Sequence, residues 1–352
     1  MKKPVYQNKY DRETLTKRLE QEDFKRITVS LYRYAHLKNP KIVRDSLFLR
    51  WNNLNILGRI YIAEEGINAQ FSCPEPNWEE FINSLNDYDF LKDIPLKIAI
   101  EDDGKSFLKL TIKVRNKILA DGMDDNSYDV TNVGTHLTAK EWNDCLNDPN
   151  TVVVDVRNQY ESEIGHFKGA ICPQSDTFKE ELPLIKEELK GKEDKKILLY
   201  CTGGIRCEKT SAFLKHNGFK DVNQLHGGII DYVRQTKADN LENKFLGKNF
   251  VFDQRLGEEI TNDIISECHQ CGESCNTHTN CQYKDCNLLF IQCENCKTEF
   301  ESCCSTDCLE ISKLPLEKQR GIRKQREAAG LINFKRSVRP KLAKITTKNT
   351  NK

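Results

Sequence analysis

The chain has 352 residues, 38% hydrophobic and 30% charged, with a formal net charge of +1 and a mean hydropathy of −0.65. No apolar run approaches the roughly 20 residues that span a bilayer, and the polar start from Met1 to Leu15 lacks a signal-peptide pattern, so the expectation is a cytoplasmic protein with no membrane association. In that compartment fifteen cysteines point to metal binding or catalysis rather than to a disulfide framework.

The near-neutral total conceals an asymmetry. From Ile311 to Lys352 there are thirteen Lys/Arg against two Glu, a balance of +11, so the 310 residues before it carry −10. A basic end on an acidic body suits contact with a polyanion, and it also suits simple disorder.

Five stretches are expected. Residues 1–25 form an N-terminal extension. In residues 26–121, Ile27–Tyr32 alternates and reads as a strand, Pro40 opens a helix ending near Asn55, and Ile56–Ala63 and Ile67–Ser72 make a hairpin around Glu64-Glu65-Gly66. A helix over Trp78–Asn86 and strands over Pro95–Ile100 and Phe107–Val114 follow. The order β-α-β-β-α-β predicts an α+β sandwich of ferredoxin-like or acylphosphatase-like type. No aromatic pattern there marks a nucleic-acid face.

In residues 130–240, the apolar runs Val152–Val154, Ile197–Tyr200 and Val222–Leu225 alternate with helical patterns over Phe178–Leu189, Cys207–Asn217 and Ile229–Gln235. This predicts an α/β domain with a parallel sheet, whose active site lies at the carboxyl ends of the strands. Residues 245–310 hold the cysteine-rich segment, and 311–352 are the basic, disordered tail.

Cys201-Thr202-Gly203-Gly204-Ile205-Arg206 joins the Ile197–Tyr200 strand to the following helix. A loop of this shape aims backbone N–H groups at the sulfur, and the helix N-terminus and Arg206 add positive charge. All of these favour a thiolate at Cys201, the candidate catalytic residue. Arg206 alternatively pairs with Asp155. Cys207 reads as a buried first-turn residue, Arg157 as structural and His166 as a turn residue.

Ten of the fifteen cysteines fall between Cys268 and Cys308. Cys268, Cys271, Cys293 and Cys296 form two C-x2-C knuckles, the spacing of a tetrahedral structural zinc site. An iron–sulfur cluster, disulfides and free thiols remain open, and the cysteine count allows a second ion. No flavin or nucleotide fingerprint is found, so no organic cofactor-binding residue is assigned.

Residues 130–240 resemble a rhodanese domain through Asp155-Val156-Arg157, the Gly165-His166…Gly169-Ala170 turn, the Cys201–Arg206 loop and the Gly227-Gly228 turn. Most of the chain resembles the bacterial tRNA uridine hydroxylase family. The likeness rests on Glu64–Ala69, Cys201–Lys209, Gly247–Asp253, Cys268–Gly272 and Leu288–Cys293. The resemblance implies an oxidoreductase of monooxygenase type acting on tRNA. It would convert the wobble uridine to 5-hydroxyuridine, with molecular oxygen as co-substrate and no DNA partner. The six-residue C-x4-R loop is one residue shorter than the phosphatase C-x5-R loop, which disfavours phosphate ester chemistry. The alternative activity is sulfurtransfer through a Cys201 persulfide. Either chemistry calls for an accessible, low-pKa thiol.

Overall fold

The computed structural model describes residues 10–99, 107–124, 127–252 and 255–329. They pack as two compact units. One comprises Met1–Thr151, Gly191–Asn243 and Val251–Arg255, and the other Val152–Lys190, Lys244–Phe250 and Leu256–Lys352.

The first unit begins with α1 (Arg12–Glu20), capped by the Asp11 side chain accepting from the Thr14 N–H at 2.9 Å. The sequence reading left this stretch without an element. Then come β1 (Arg26–Tyr34), α2 (Pro40–Asn53), β2 (Leu57–Ala63), β3 (Gly66–Pro74), α3 (Trp78–Leu85), β4 (Lys97–Ile98) and β5 (Leu110–Val114). The sheet order is β4-β1-β3-β2-β5. β1, β2, β3 and β4 pair antiparallel, and β5 adds in parallel beside β2. Period-two alternation divides β1 between two faces. Val29 and Leu31 enter a core with Leu47 and Trp51 of α2 and Phe81 of α3. Trp51, Phe71 and Phe81 meet edge-on or tilted with centroids 5.1–5.8 Å apart. Ser30, Tyr32 and Tyr34 occupy the other face, away from this core.

The chain continues through β6 (Thr135–Leu137) and α4 (Ala139–Leu146), also absent from the sequence reading. The missed signal is Thr138-x-x-Glu141, which forms a full capping box. Next are β7 (Val152–Asp155), α5 (Gln159–Ser162), β8 (Gly165–Phe167) and α6 (Phe178–Glu188), which belong to the second unit. The first unit resumes with β9 (Lys196–Tyr200), α7 (Ile205–His216), β10 (Asp221–Leu225) and α8 (Gly228–Ala238). β10 pairs in parallel with β6 on one side and β9 on the other. Ile197–Tyr200 of β9 is fully buried, which accounts for its unbroken apolar sequence.

The second unit adds β11 (Phe245–Asn249), β12 (Glu258–Glu259), the antiparallel pair β13 (His278–Asn280) and β14 (Leu289–Ile291), α9 (Glu294–Glu299), α10 (Thr306–Ser312) and α11 (Leu316–Ala328). The expectation of disorder from residue 311 is corrected here. Leu316–Ala328 is helical, tied by Arg323 to Asp285 at 3.1 Å and by Arg326 to Asp307 at 2.7 Å. Its helix-forming Leu, Glu, Lys, Gln and Arg content explains this. The tail from residue 330, Ile100 and Asp253 lie outside the described residues.

Candidate active site

β9 delivers Cys201 to its carboxyl end, and the loop turns so that Gly204 caps α7 with φ 97°. This left-handed position suits glycine because a Cβ would also meet the Tyr32 hydroxyl at 2.7 Å. The Gly204 N–H donates to Cys201 Sγ at 3.1 Å. Burial by itself pushes the Cys201 thiol up. It is outweighed by the Cys207 thiol hydrogen bond, the Arg206 charge and the N–H groups of Cys207 and Arg206, which bring the pKa from 9.0 down to about 6. The sulfur is therefore a thiolate at neutral pH. Cys207 is buried as expected, and its thiol is among the groups that lower the Cys201 pKa.

The Gly227-Gly228 turn backs the loop. Ile229 N–H donates to the Cys201 carbonyl at 3.0 Å, and Ile230 N–H to that of Thr202 at 3.2 Å.

The expected open sulfur is not found: Cys201 is 1% exposed. The polar face of β1 and neighbouring β4 explain the cover over its loop. Lys97 Cδ lies 3.4 Å from where a Gly203 Cβ would be, and Ser30 Oγ 3.9 Å. The Tyr32 hydroxyl donates to Glu208 Oε1 at 3.2 Å, and the Tyr34 hydroxyl to the Ile205 carbonyl at 3.5 Å. Beside the loop lies a cleft of about 370 Å³, lined by Tyr32, Tyr34, Lys97, His136, Glu208 and His226 among others. His136 Nε2 lies 3.0 Å from Glu208 Oε1 and 2.6 Å from the Gln224 amide nitrogen. Burial pushes the Tyr32 phenol well up, with the Glu208 charge adding to it, so Tyr32 remains a proton donor. Tyr32 and Tyr34 meet edge-on at 6.4 Å, an aromatic pair that the sequence reading did not recognise.

In the second unit, Asp155 is paired with Arg157 at 2.6 Å, both fully buried, so Arg157 is structural. His166 Nδ1 lies 2.8 Å from the Ser162 carbonyl, a turn contact. The sulfurs of Cys268, Cys271, Cys293 and Cys296 lie within 4.8 Å of one another, and so do those of Cys281, Cys286, Cys304 and Cys308. The two sets alternate pair by pair along the chain. The Sγ–Sγ distances of 3.6 Å for Cys271–Cys293, Cys286–Cys304 and Cys304–Cys308 approach the roughly 3.8 Å edge of a tetrahedron with metal–sulfur bonds of about 2.3 Å. They are far longer than a disulfide bond of about 2.05 Å. Spacing could not divide ten cysteines into sets; the fold leaves Cys275 and Cys303 outside both.

Residues 26–118 match an acylphosphatase-like domain family, 138–235 the rhodanese-like domain and 246–309 the rhodanese C-terminal family. A tRNA uridine(34) hydroxylase of Leptospira interrogans is 55% identical over 98% of this chain and 94% of its own length. The chain belongs to the tRNA uridine(34) hydroxylase family. Relatives of the same name from Pectobacterium carotovorum and Photorhabdus laumondii are 52% and 49% identical, over 92% and 94% of both chains respectively.

Two of the family-like segments meet in space. Lys209, next to Glu208 on α7, reaches Glu65 of the β2–β3 turn at 3.1 Å and Asp121 at 2.9 Å. The acylphosphatase-like sandwich thus touches the helix that follows the rhodanese loop through this ion network.

Proposed function

We propose that this protein is an oxidoreductase that hydroxylates C5 of uridine 34 in tRNA, with Cys201 as the working thiolate and dioxygen as the oxygen source. The observation that carries the reading is the six-residue rhodanese loop in a chain of this family, with the Gly204 N–H on the Cys201 sulfur at 3.1 Å and the surroundings bringing its pKa down to about 6. Because the sulfur is 1% exposed, substrate must displace part of the cover to reach it. Placing one oxygen atom on C5 while reducing the other to water takes two electrons and two protons from a cellular reductant. Either the Cys201 thiolate adds to C6 of the uracil enone, making C5 electron-rich toward the incoming oxygen, and leaves again as the C5 proton is lost, or the sulfur first takes up the oxygen atom as a sulfenic acid and passes it to C5, returning as thiolate. Thr202, Gly203, Gly204, Ile205 and Arg206 hold the thiolate in its cradle. The basic C-terminal end offers a salt-sensitive grip on tRNA phosphates, and the single-stranded anticodon loop presents its base without duplex opening. The site of action is the cytoplasm, where tRNA is found.

The two four-cysteine sets fit zinc by donor type and by sulfur spacing. Cys268, Cys271, Cys293 and Cys296 would hold one ion, and Cys281, Cys286, Cys304 and Cys308 a second. Bound zinc would cross-link a segment with little core of its own.

Nucleoside mass spectrometry of tRNA from a host lacking its own hydroxylase tests the reading. Expression of the wild type should produce 5-hydroxyuridine, and expression of Cys201→Ser should not. Persistence of the product in Cys201→Ser removes the thiol from the reaction. A second reading, sulfurtransfer, is favoured by the rhodanese loop length. Thiosulfate-to-cyanide transfer without nucleoside product would select it.

A further inference from the structure

Lys97 stands apart from the other charged groups around the cleft. It is 8% exposed, lines the cleft, and forms no hydrogen bond or ion pair with any described residue. Its Nζ lies 5.4 Å from the centre of the Tyr32 ring. The pairing of Ser30 with Lys97 between β1 and β4 fixes its position, and its stem packs against Gly203 of the Cys201 loop. Glu208 is engaged by His136 and Tyr32. The stem is buried while Nζ, without an acceptor among the described residues, opens on the cleft, and a largely desolvated ammonium in that position gains from a ligand that supplies the missing partner.

We propose that Lys97 binds a carbonyl oxygen of the target uracil within this cleft, beside the Cys201 loop. This inference rests on the hydroxylase reading. The cleft volume falls in the range of small-ligand sites, roughly 300–1,000 Å³, and Tyr32 and Tyr34 offer aromatic surface to a splayed base. Uracil has no formal charge, but its O4 gains negative charge as C5 becomes nucleophilic. A preplaced ammonium binds that oxygen more strongly in the transition state than in the ground state. A tRNA phosphate is the competing anion. It is disfavoured because the backbone stays in solvent while Lys97 is enclosed. Burial holds the Lys97 pKa below 10.5, against the raising effects of Asp231, Cys201 and Glu208. The ammonium thus sits in the field of the thiolate, so a role confined to Cys201 must be separated by experiment.

The test uses full-length protein with Lys97→Met and Lys97→Arg. The initial rate of 5-hydroxyuridine accumulation is read after induction in the hydroxylase-free host. Purified protein is assayed for melting temperature, tRNA affinity against salt, and the pH midpoint of Cys201 alkylation. Lys97→Met should lose about 100-fold in rate, the scale of one transition-state donor. It should melt close to the wild type, because Nζ opens on the cleft and has no hydrogen bond or ion pair with a described residue to lose. Its tRNA affinity should match the wild type, and its alkylation midpoint should rise only slightly, far too little to account for the rate loss at a pH where the thiol is fully ionised in both proteins. Lys97→Arg should keep more activity than Lys97→Met. Three results overturn the inference. The first is a Lys97→Met rate close to that of the wild type. The second is a rate loss matched by a raised alkylation midpoint, which assigns Lys97 to the thiolate alone. The third is a weakened tRNA affinity with a salt slope reduced by about one, which assigns it to a phosphate. Should Lys97→Met fail to fold, equal inactivity in a folded Lys97→Arg also counts against the inference. A wild type that makes no 5-hydroxyuridine defeats the hydroxylase reading itself, a separate failure.

Discussion

Lys209 and Glu65 lie 144 residues apart in sequence and 3.1 Å apart in the fold. The Lys209 ammonium is fully buried and also reaches Asp121 at 2.9 Å and the Leu119 carbonyl at 2.9 Å. Lys209 lies two residues beyond Cys207, which hydrogen-bonds Cys201. The ion network thus ties the acylphosphatase-like sandwich to the helix that opens at the Cys201 loop.

Removing Lys209 takes a buried ammonium from two carboxylates, leaving Asp121 with Lys117 at 2.9 Å and Glu65 with the Ile118 N–H at 2.7 Å. Lys209→Met should cost about 3–5 kcal/mol, the usual penalty for breaking a buried pair, read as a lower melting temperature. Burial alone would raise the Asp121 pKa, but hydrogen bonds from Lys117 and Lys209 and their charges hold it below 3.8. The sign follows from linkage: this stabilisation is present above pH 3.8 and is lost as pH falls through the depressed folded value. A Lys209→Met protein as heat-stable as the wild type would show the network to be dispensable.

Cys201 alkylation by iodoacetamide should rise with pH to a midpoint at about 6, well below the ordinary 9.0. Its absolute rate should be slow for so reactive a thiolate, since the residue is enclosed. Cys207→Ala and Arg206→Met each remove a group that lowers this pKa and should move the midpoint upward. A midpoint near 9 in the wild type contradicts the hydrogen-bonded thiolate.

Much of this was legible in the sequence. The strand–loop–helix around Cys201 could be read because a buried strand, a Gly-Gly turn and a helix start are each local signals. The sandwich could be read because its elements alternate with period two or carry a Pro40 helix start. Tyr32, Lys97 and Glu208 were not legible as site residues. Their roles depend on strands and helices far apart in sequence meeting across the polar face of β1, and periodicity carries no such information. The alternation of Ser30, Tyr32 and Tyr34 with Val29 and Leu31 did hold a clue: one face of that strand is polar and aromatic. The burial of Cys201 was missed for the same reason, because its cover comes from the N-terminal domain.

Gly228 tests the backing of the loop. Its φ is +69°, and a Cβ there would stand 2.5 Å from the Cys201 carbonyl oxygen and 2.6 Å from that of Thr202. Both obstacles are backbone and cannot rotate aside. Gly228→Ala should therefore destabilise the protein by more than about 1 kcal/mol and push the Cys201 loop out of register. The expected readouts are a lower melting temperature, a raised alkylation midpoint and loss of 5-hydroxyuridine. Normal values for all three would show that the turn yields easily.

The interleaved cysteine sets make a stoichiometric prediction. Protein purified without chelator should contain two zinc ions per chain, one for each set. Cys268→Ser or Cys281→Ser should each remove one ion, whereas Cys275→Ser, whose sulfur lies in neither set, should keep both. Because the ligands are thiolates, acid should release the metal as protons compete for sulfur. The segment from Cys268 to Cys308 should then become sensitive to protease, since its small clusters rely on those cysteines for packing. Iron in place of zinc would turn the reading toward a cluster of another kind. Metal-free protein with the segment still protease-resistant would show that packing alone holds the eight sulfurs together.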